Sequence, residues 1–123
     1  MELIDLKLVE EADYLTVLVS NTWKKRMKGI RQLTKDDQKG ILLYPCNWIH
    51  SFTLKLPLDI YFFSNEGIIL QTFFNIMPRR FLIGKDNTRF VIEVYSINNK
   101  IKSWQEGWHL NEESLDALAK IKS

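Results

Sequence analysis

The sequence predicts a mainly β domain of the α+β class: a small antiparallel, β-barrel-like sheet of six to seven strands, one helix after the first strand and a C-terminal helix. Three observations lead to this prediction. Short runs of β-branched and aromatic residues recur between turn residues. The 123 residues include 4 Trp, 4 Tyr and 7 Phe, which supply the bulk for one core. A chain of this length is ordinarily one domain, so residues 1–123 are expected to form one.

The first strand is predicted over residues 14–19 (YLTVLV), a run rich in β-branched residues. Residues 1–8 add an edge strand, because Leu6 and Leu8 alternate with polar neighbours. Closing such a sheet into a barrel would protect its edges from pairing with other chains.

A short helix is predicted after the first strand. Asn21 or Thr22 can cap it by accepting a hydrogen bond from a free N–H of the first turn. Gly29 lies inside this pattern and suggests either a close backbone approach or an early helix end. Apolar residues follow at helical spacing with basic residues around them: Trp23, Met27, Ile30 and Leu33.

Further strands are predicted at residues 40–44 (GILLY), which Pro45 ends, and at residues 51–55 (SFTLK). Residues 58–63 (LDIYFF) and 68–75 (IILQTFFN) flank a turn in which Gly67 can take the left-handed position, so they predict a hairpin.

A second hairpin is predicted from residues 80–83 and 89–95, on either side of the turn GKDN. Residues 100–104 are expected to form one helical turn. Asn111 is expected to cap the C-terminal helix over residues 112–121, whose acids lie at its start and whose lysines lie at its end. Trp104 and Trp108 are placed to anchor this helix.

Charge and cysteine content narrow the function classes. The net charge is +2, far from that of a dedicated nucleic-acid binder, although residues 24–39 carry seven bases and two acids. This basic segment is either a solvated face or a weak surface for an anionic partner. Cys46 is the one cysteine, so no disulfide within the chain and no cysteine-built zinc site is expected. Without a predicted signal peptide or membrane span, the expected location is cytoplasmic.

Three segments together resemble a known family. They are a strand followed by Arg26-x-x-Gly29-Ile30, residues 40–67 (GILLYPCNWIHSFTLKLPLDIYFFSNEG), and residues 89–98 (RFVIEVYSIN) followed by a turn and a Gly. This pattern is similar to the domain of unknown function 192 family, small bacterial and archaeal proteins. The residues at the positions of the family's central pattern are Cys46, Ile49, His50, Ser51, Phe52, Leu58, Asp59 and Gly67.

The resemblance spans residues 14–110 and leaves the C-terminal helix as an addition. It implies a small barrel-like fold and no established activity. The chain departs from the family near the end, where Gly107-Trp108 stands in place of Gly-Asp.

Four residues are the candidate ligand-binding set: Arg26, Trp48, His50 and Asp59. An Arg fork, an imidazole and a carboxylate can together bind an anionic or sugar-like ligand, and a Trp near a rim can stack on it. The structural alternative is an ion pair between Arg26 and Asp59 that fastens the helix to the sheet. Cys46 is either a packed, inert thiol or, if residues 47–48 turn, a thiolate partner of His50.

Three function classes remain open. The leading one is a non-catalytic module that binds a small ligand or a protein partner, since no phosphate loop, dinucleotide motif or nucleophile elbow occurs. An enzyme acting on a sugar-like or polar metabolite would use His50 and Asp59 as acid and base, which requires both side chains to share one pocket. A weak binder of single-stranded nucleic acid is the third. No cofactor, no metal site, no membrane partner and a monomer or weak dimer are expected.

Overall fold

The computed structural model describes residues 2–51 and 55–122. The strands in this part of the chain are β1 (Leu3–Lys7), β2 (Tyr14–Ser20), β3 (Gly40–Leu43), β4 (Trp48–His50), β5 (Leu58–Ser64), β6 (Ile69–Ile76), β7 (Phe81–Ile83) and β8 (Thr88–Tyr95). The helices are α1 (Trp23–Lys28) and α2 (Glu112–Lys122), with 3-10 turns at Gly29–Gln32 and Ser96–Asn98.

Six strands form a mixed sheet in the order β1-β2-β3-β8-β5-β6. Its pairs are antiparallel except β2 and β3, which run parallel because α1 and the following turn carry the chain back between them. The prediction of a mainly β chain with a helix after a strand and another at the C-terminus is confirmed.

The prediction of a barrel-like, wholly antiparallel sheet is wrong. The described strands number eight, and the six-stranded sheet stays open, with β1 at one edge and β6 at the other. Residues 107–111 bridge these two edges at one end only, through the isolated pairs Leu8 with Leu110 and Ile68 with His109. In a closed barrel, β1 and β6 would pair with each other along their length. Here residues 107–111 lie between these two edge strands at one end instead.

The hairpin of β5 and β6 is confirmed. Gly67 has φ +84° and its N–H donates to the carbonyl of Ser64 at 3.0 Å, which closes the turn. The second predicted hairpin is wrong, because β7 pairs with β4 in a separate two-stranded sheet and β8 pairs with β3 and β5. The strand predicted over residues 51–55 falls mostly on residues 52–54, which lie outside the described residues.

The buried apolar side chains form two clusters, one on each face of the large sheet. One cluster contains Tyr61, Phe63 and Phe90 and is covered by α2 and by the chain around Trp104. The other contains Ile60, Phe62 and Val91 and is covered by Ile30 in the turn after α1 and by Ile49 of β4. Both faces of the central strands are buried, which explains their almost unbroken apolar sequences.

Both helices begin at the predicted caps. The side chain of Thr22 accepts a hydrogen bond from the N–H of Lys25 at 3.3 Å, and that of Asn111 accepts one from Ser114 at 2.9 Å. α2 is held by Leu118 and Trp104, which are 0% and 1% exposed, as the anchoring role of Trp104 requires. Neither helix has the length and apolar character needed to cross a membrane within the described residues.

Candidate ligand-binding cleft

A cleft of about 470 Å³ opens on the face of the sheet that carries α1. Its walls are α1 with the 3-10 turn after it on one side, and residues 45–50 on the other. The ends of β3 and β8 form its base. The volume lies in the range of natural small-molecule sites, roughly 300–1,000 Å³.

The helical wall is fixed to the sheet by Gln32. Its side-chain amide donates to Ser20 Oγ at 2.8 Å, to the carbonyl of Lys25 at 3.0 Å and to the carbonyl of Gly29 at 3.1 Å. Ile30, in the 3-10 turn after α1, is 1% exposed and packs into the apolar cluster on this face of the sheet. With its underside held in this way, α1 presents Arg26 and Met27 to the cleft.

The opposite wall is held by backbone hydrogen bonds to β8 and to the loop after β7. The N–H of Cys46 donates to the carbonyl of Arg89 at 2.9 Å, and the N–H of Gly84 donates to the carbonyl of Asn47 at 2.7 Å. Trp48 stacks on Phe81 of the paired strand, with ring centroids 5.2 Å apart. These contacts place Trp48 and His50 along the cleft.

Glu93 lies at the base of the cleft and is 3% exposed. It comes from β8, the strand between β3 and β5, and sits opposite Ile41 and Ile60 in the ladder. Burial raises the pKa of its carboxyl to about 7, and a hydrogen bond with the backbone of Ile30 opposes that rise only in part. A carboxyl group in this setting can donate, accept or transfer a proton near neutral pH.

Close approach of α1 to this carboxyl depends on Gly29. The residue ends the helix with φ +52°, and a Cβ atom there would lie 3.3 Å from Glu93 Oε1. The sequence predicted either a close approach or a helix end at this glycine, and the structure has both.

The rim of the cleft combines cations with exposed apolar groups. Trp23 is 65% exposed and Trp48 is 48% exposed, one from each wall. The basic side chains along the cleft are Arg26, Lys28, Arg31 and Arg89. Glu93 is the one acidic residue among the described lining residues.

Cys46 lines the cleft as a protonated thiol. Its Sγ donates to the carbonyl of Trp48 at 2.9 Å. Burial raises the pKa of the thiol to about 11, and the charge of Glu93 adds to this while that of Arg26 opposes it. The packed, inert thiol is therefore the reading that the structure favours over a thiolate partner for His50.

Asp59 does not join this cleft. It pairs in register with Val94, whereas its neighbour Ile60 pairs with Glu93, so the two acids point to opposite faces of the sheet. Its carboxylate accepts hydrogen bonds from Ser96 Oγ at 2.6 Å, Asn99 Nδ2 at 2.7 Å and a backbone N–H at 2.7 Å.

The predicted ion pair between Arg26 and Asp59 is not formed. Among the described residues, an ion pair joins His109 to Glu10, and none joins Arg26 to Asp59. Asp59 is instead satisfied by neutral donors, and Arg26 Nη1 donates to the carbonyl of Tyr44 at 3.4 Å. An acid–base pair of His50 and Asp59 is likewise not assembled, since only His50 lines the cleft.

Two solved structures have a fold similar to that of this chain. A protein of unknown function from Novosphingobium aromaticivorans is similar to 89% of this chain and 84% of its own, with 16% identity and a TM-score of 0.71. A "putative transcription regulator" from Sinorhizobium meliloti is similar to 90% of this chain and 92% of its own, with 22% identity and a TM-score of 0.71. The chain shares its fold with both. No family model and no curated protein matches it, so the resemblance to the domain of unknown function 192 family stays a prediction.

Three of the four predicted binding residues thus line one cleft: Arg26, Trp48 and His50. Sequence reasoning missed Glu93, although a signal existed. The run RFVIEVY places one acid among apolar residues on both faces, a pattern as unusual as the acid in LDIYFF. The described residues contain no group of three His, Cys, Asp or Glu placed to hold a metal ion.

Proposed function

We propose that this chain is a small-ligand binding module and that the cleft between α1 and residues 45–50 is its site. The observation that carries the proposal is the arrangement of the cleft itself. A buried carboxyl at the base, Glu93, faces a volume of about 470 Å³ whose rim carries Arg26 and two exposed indoles. Small-molecule sites typically combine apolar walls with a few polar groups of this kind.

Two features favour binding over catalysis. The thiol of Cys46 is protonated at neutral pH because its pKa is raised, so it is a poor nucleophile. His50 lines the cleft, whereas Asp59 points to the face of the large sheet away from the cleft, so the two are not placed to act on one substrate there. The cleft therefore has binding groups without the paired catalyst that the sequence suggested.

The name of the Sinorhizobium meliloti neighbour points to regulation. A small cleft on a shared fold would suit a module that senses a metabolite, and we include that role in the proposal. We also keep a cytoplasmic location in it, because Cys46 has no disulfide partner in the chain.

A fragment screen read by backbone amide NMR tests the proposal. Fragments of anionic, neutral and cationic types at about 1 mM should shift the amide signals of Gly29 and Ile30. Trp48→Ala should weaken those fragments at least about fivefold, because the indole forms part of one wall. Tyr14→Ala is the matched control, an exposed aromatic on β2 outside the cleft lining.

The outcome that contradicts the proposal is a screen in which no fragment of any charge moves the cleft amides. Single-stranded nucleic acid is the competing occupant, since cations and exposed indoles line the rim. An oligonucleotide that binds at the cleft with steep salt dependence, while every fragment fails, would replace a small-ligand site by that partner.

A further inference from the structure

The base of the cleft holds a carboxyl group without a counter-charge. No described cation lies within 4 Å of Glu93, although four basic residues line the same cleft. Apolar residues flank it on both neighbouring strands, Ile41 and Ile60. A carboxylate in such surroundings has a hydrogen bond with the backbone of Ile30 but no counter-charge, whereas a carboxylic acid also has a proton to donate and needs an acceptor for it. A ligand that offers an acceptor to the base would meet this need.

The rim has the opposite character. Its cations come from three elements, Arg26 from α1, Arg31 from the turn that follows and Arg89 from β8, and none forms an ion pair within the described chain. Guanidinium groups bind carboxylate and phosphate in a bidentate manner. A ligand that reaches the base would therefore place a negative group most favourably at the rim.

Between base and rim, the walls offer flat apolar surfaces. Trp23 and Trp48 expose 65% and 48% of their surface, from opposite walls. Trp48 is held in place by its stack on Phe81, so its orientation is set before a ligand arrives. Indole faces favour planar aromatic rings, which they stack in an offset manner.

This inference rests on the proposed function and deepens it. We propose that the ligand is a small planar aromatic molecule with one anionic group. The anion lies among the arginines of the rim, the ring lies along the indoles, and an acceptor atom of the ligand takes a hydrogen bond from the protonated carboxyl of Glu93.

Binding then depends on pH, because only the protonated carboxyl donates. The elements around Glu93 carry other ionisable groups: Arg26, Lys28 and Arg31 on α1 and its turn, Cys46 and His50 on the opposite wall, and Arg89 and Tyr95 on β8. The titratable residues of β5, Asp59 and Tyr61, belong to the other face, and β3 has none. Burial raises the pKa of both Cys46 and Tyr95, so both stay neutral near pH 7. His50 is the histidine of this set, and its substitution serves as the control for the pH profile.

Two matched pairs of probes test the ligand class. The phosphate pair is uridine 5′-monophosphate with uridine, and the carboxylate pair is quinoline-3-carboxylate with its carboxamide. Each pair shares a ring with an acceptor and differs in the negative group. We expect at least one anion to bind at least about tenfold tighter than its neutral partner at pH 6.5, with the amide shifts at Gly29 and Ile30. Arg31→Ala should remove most of that advantage, whereas Lys102→Ala, an exposed cation outside the cleft lining, should leave it intact.

The role of the carboxyl is tested by Glu93→Gln, which keeps a neutral donor at every pH. In the wild type, the affinity for the anion should fall by up to about tenfold per pH unit above pH 7, and in Glu93→Gln it should be nearly flat. His50→Gln should keep the wild-type profile. A profile that becomes flat in His50→Gln and not in Glu93→Gln overturns the assignment to Glu93.

The remaining outcomes separate the two proposals. If neutral probes bind the cleft as tightly as the anions, or if only other fragments of the screen bind there, the ligand class is wrong and the cleft remains a binding site. If no probe and no fragment binds, both proposals fail.

Discussion

Glu93 and Gly29 pack directly against each other: a Cβ atom on Gly29 would lie 3.3 Å from Glu93 Oε1. The contact joins the central strand of the sheet to the end of α1. The same glycine has φ +52°, which a residue with a side chain adopts only with strain.

Gly29→Ala should therefore destabilise the fold by two effects, backbone strain and crowding of the carboxyl. The strain alone costs about 1–3 kcal/mol. Gly107→Ala is a matched control, because Gly107 has φ +90° and nothing lies within 4 Å of the added methyl group. In urea unfolding, Gly29→Ala should cost about 1 kcal/mol more than Gly107→Ala. Equal losses would mean that the contact with Glu93 carries no energy.

The carboxyl of Glu93 should make stability depend on pH. Burial raises its pKa from 4.5 to about 7, so the folded chain holds the proton more tightly than the unfolded chain does. The free energy of unfolding should therefore fall as pH rises from about 4.5 to about 7 and then level off, by roughly 3 kcal/mol in all. Glu93→Gln should remove this loss and be the more stable protein at pH 8, with little difference at pH 4.

Urea titrations across pH 4–8.5 provide the measurement. Glu66→Gln is the control, since Glu66 is exposed in the turn between β5 and β6. Its variant should follow the pH profile of the wild type. If Glu93→Gln also keeps that profile, Glu93 is ionised in the folded chain at neutral pH and the base of the cleft holds a charge.

The features that the sequence predicted correctly depend on neighbours in the chain. The caps Thr22 and Asn111, the helix end at Gly29 and the turn at Gly67 all involve partners within about five residues, as helix caps and tight turns do. These features can be predicted from a short stretch of sequence because the hydrogen-bond partner belongs to the same turn or helix end.

The wrong predictions concern pairing between distant strands. The turn between β7 and β8 suggested that these two strands form a hairpin. In the structure, β7 pairs with β4 (Trp48–His50), and β8 pairs with β3 on one side and β5 on the other. The alternation of apolar and polar residues along a strand indicates which side chains share a face of the sheet. It does not indicate which other strand will pair with that strand.

The same limit explains the site. Asp59 and Glu93 are each a single acid in an apolar strand, and no feature of either run tells which face α1 covers. Arg26, Trp48 and His50 came together because both walls of the cleft attach to the same face of the sheet. Of the four residues that the sequence predicted as one binding set, three line the cleft and Asp59 does not, while the acid that lines it is Glu93.

Asp59→Asn should destabilise the fold without changing the cleft. The carboxylate accepts from Ser96 Oγ, Asn99 Nδ2 and the N–H of Asn75, so an amide would turn one NH₂ group toward these donors. We expect a loss of about 1.5–3 kcal/mol by urea unfolding, the usual cost of a hydrogen bond to a charged group. The control Asp116→Asn changes an exposed acid of α2 and should be nearly neutral.

The position of Asp59 on the far face gives this prediction a second measurement. Ligand affinity at the cleft should be the same in Asp59→Asn and the wild type at a temperature where both are folded. A large loss of affinity with no loss of stability would show that Asp59 takes part in binding. It would contradict the placement of Asp59 and Glu93 on opposite faces of the sheet.

Cys46 should react slowly although it lines an open cleft. A thiol with a pKa of about 11 is only about 0.1% ionised at pH 8, against roughly a quarter for an ordinary thiol. We therefore expect iodoacetamide to modify Cys46 at least about a hundredfold more slowly than a free cysteine, with the rate rising with pH to at least pH 10. Arg26→Ala should slow it further, because the guanidinium charge favours the thiolate.

The comparison needs an exposed thiol on the same protein. Lys102→Cys in a Cys46→Ser background provides it, since Lys102 is exposed and outside the cleft. Mass spectrometry over a time course at pH 8 should give the large difference in rate between the two thiols. If Cys46 reacts as fast as the control and His50→Gln abolishes that speed, the cleft contains an activated thiolate–imidazole pair, and the choice of binding over catalysis must be reversed.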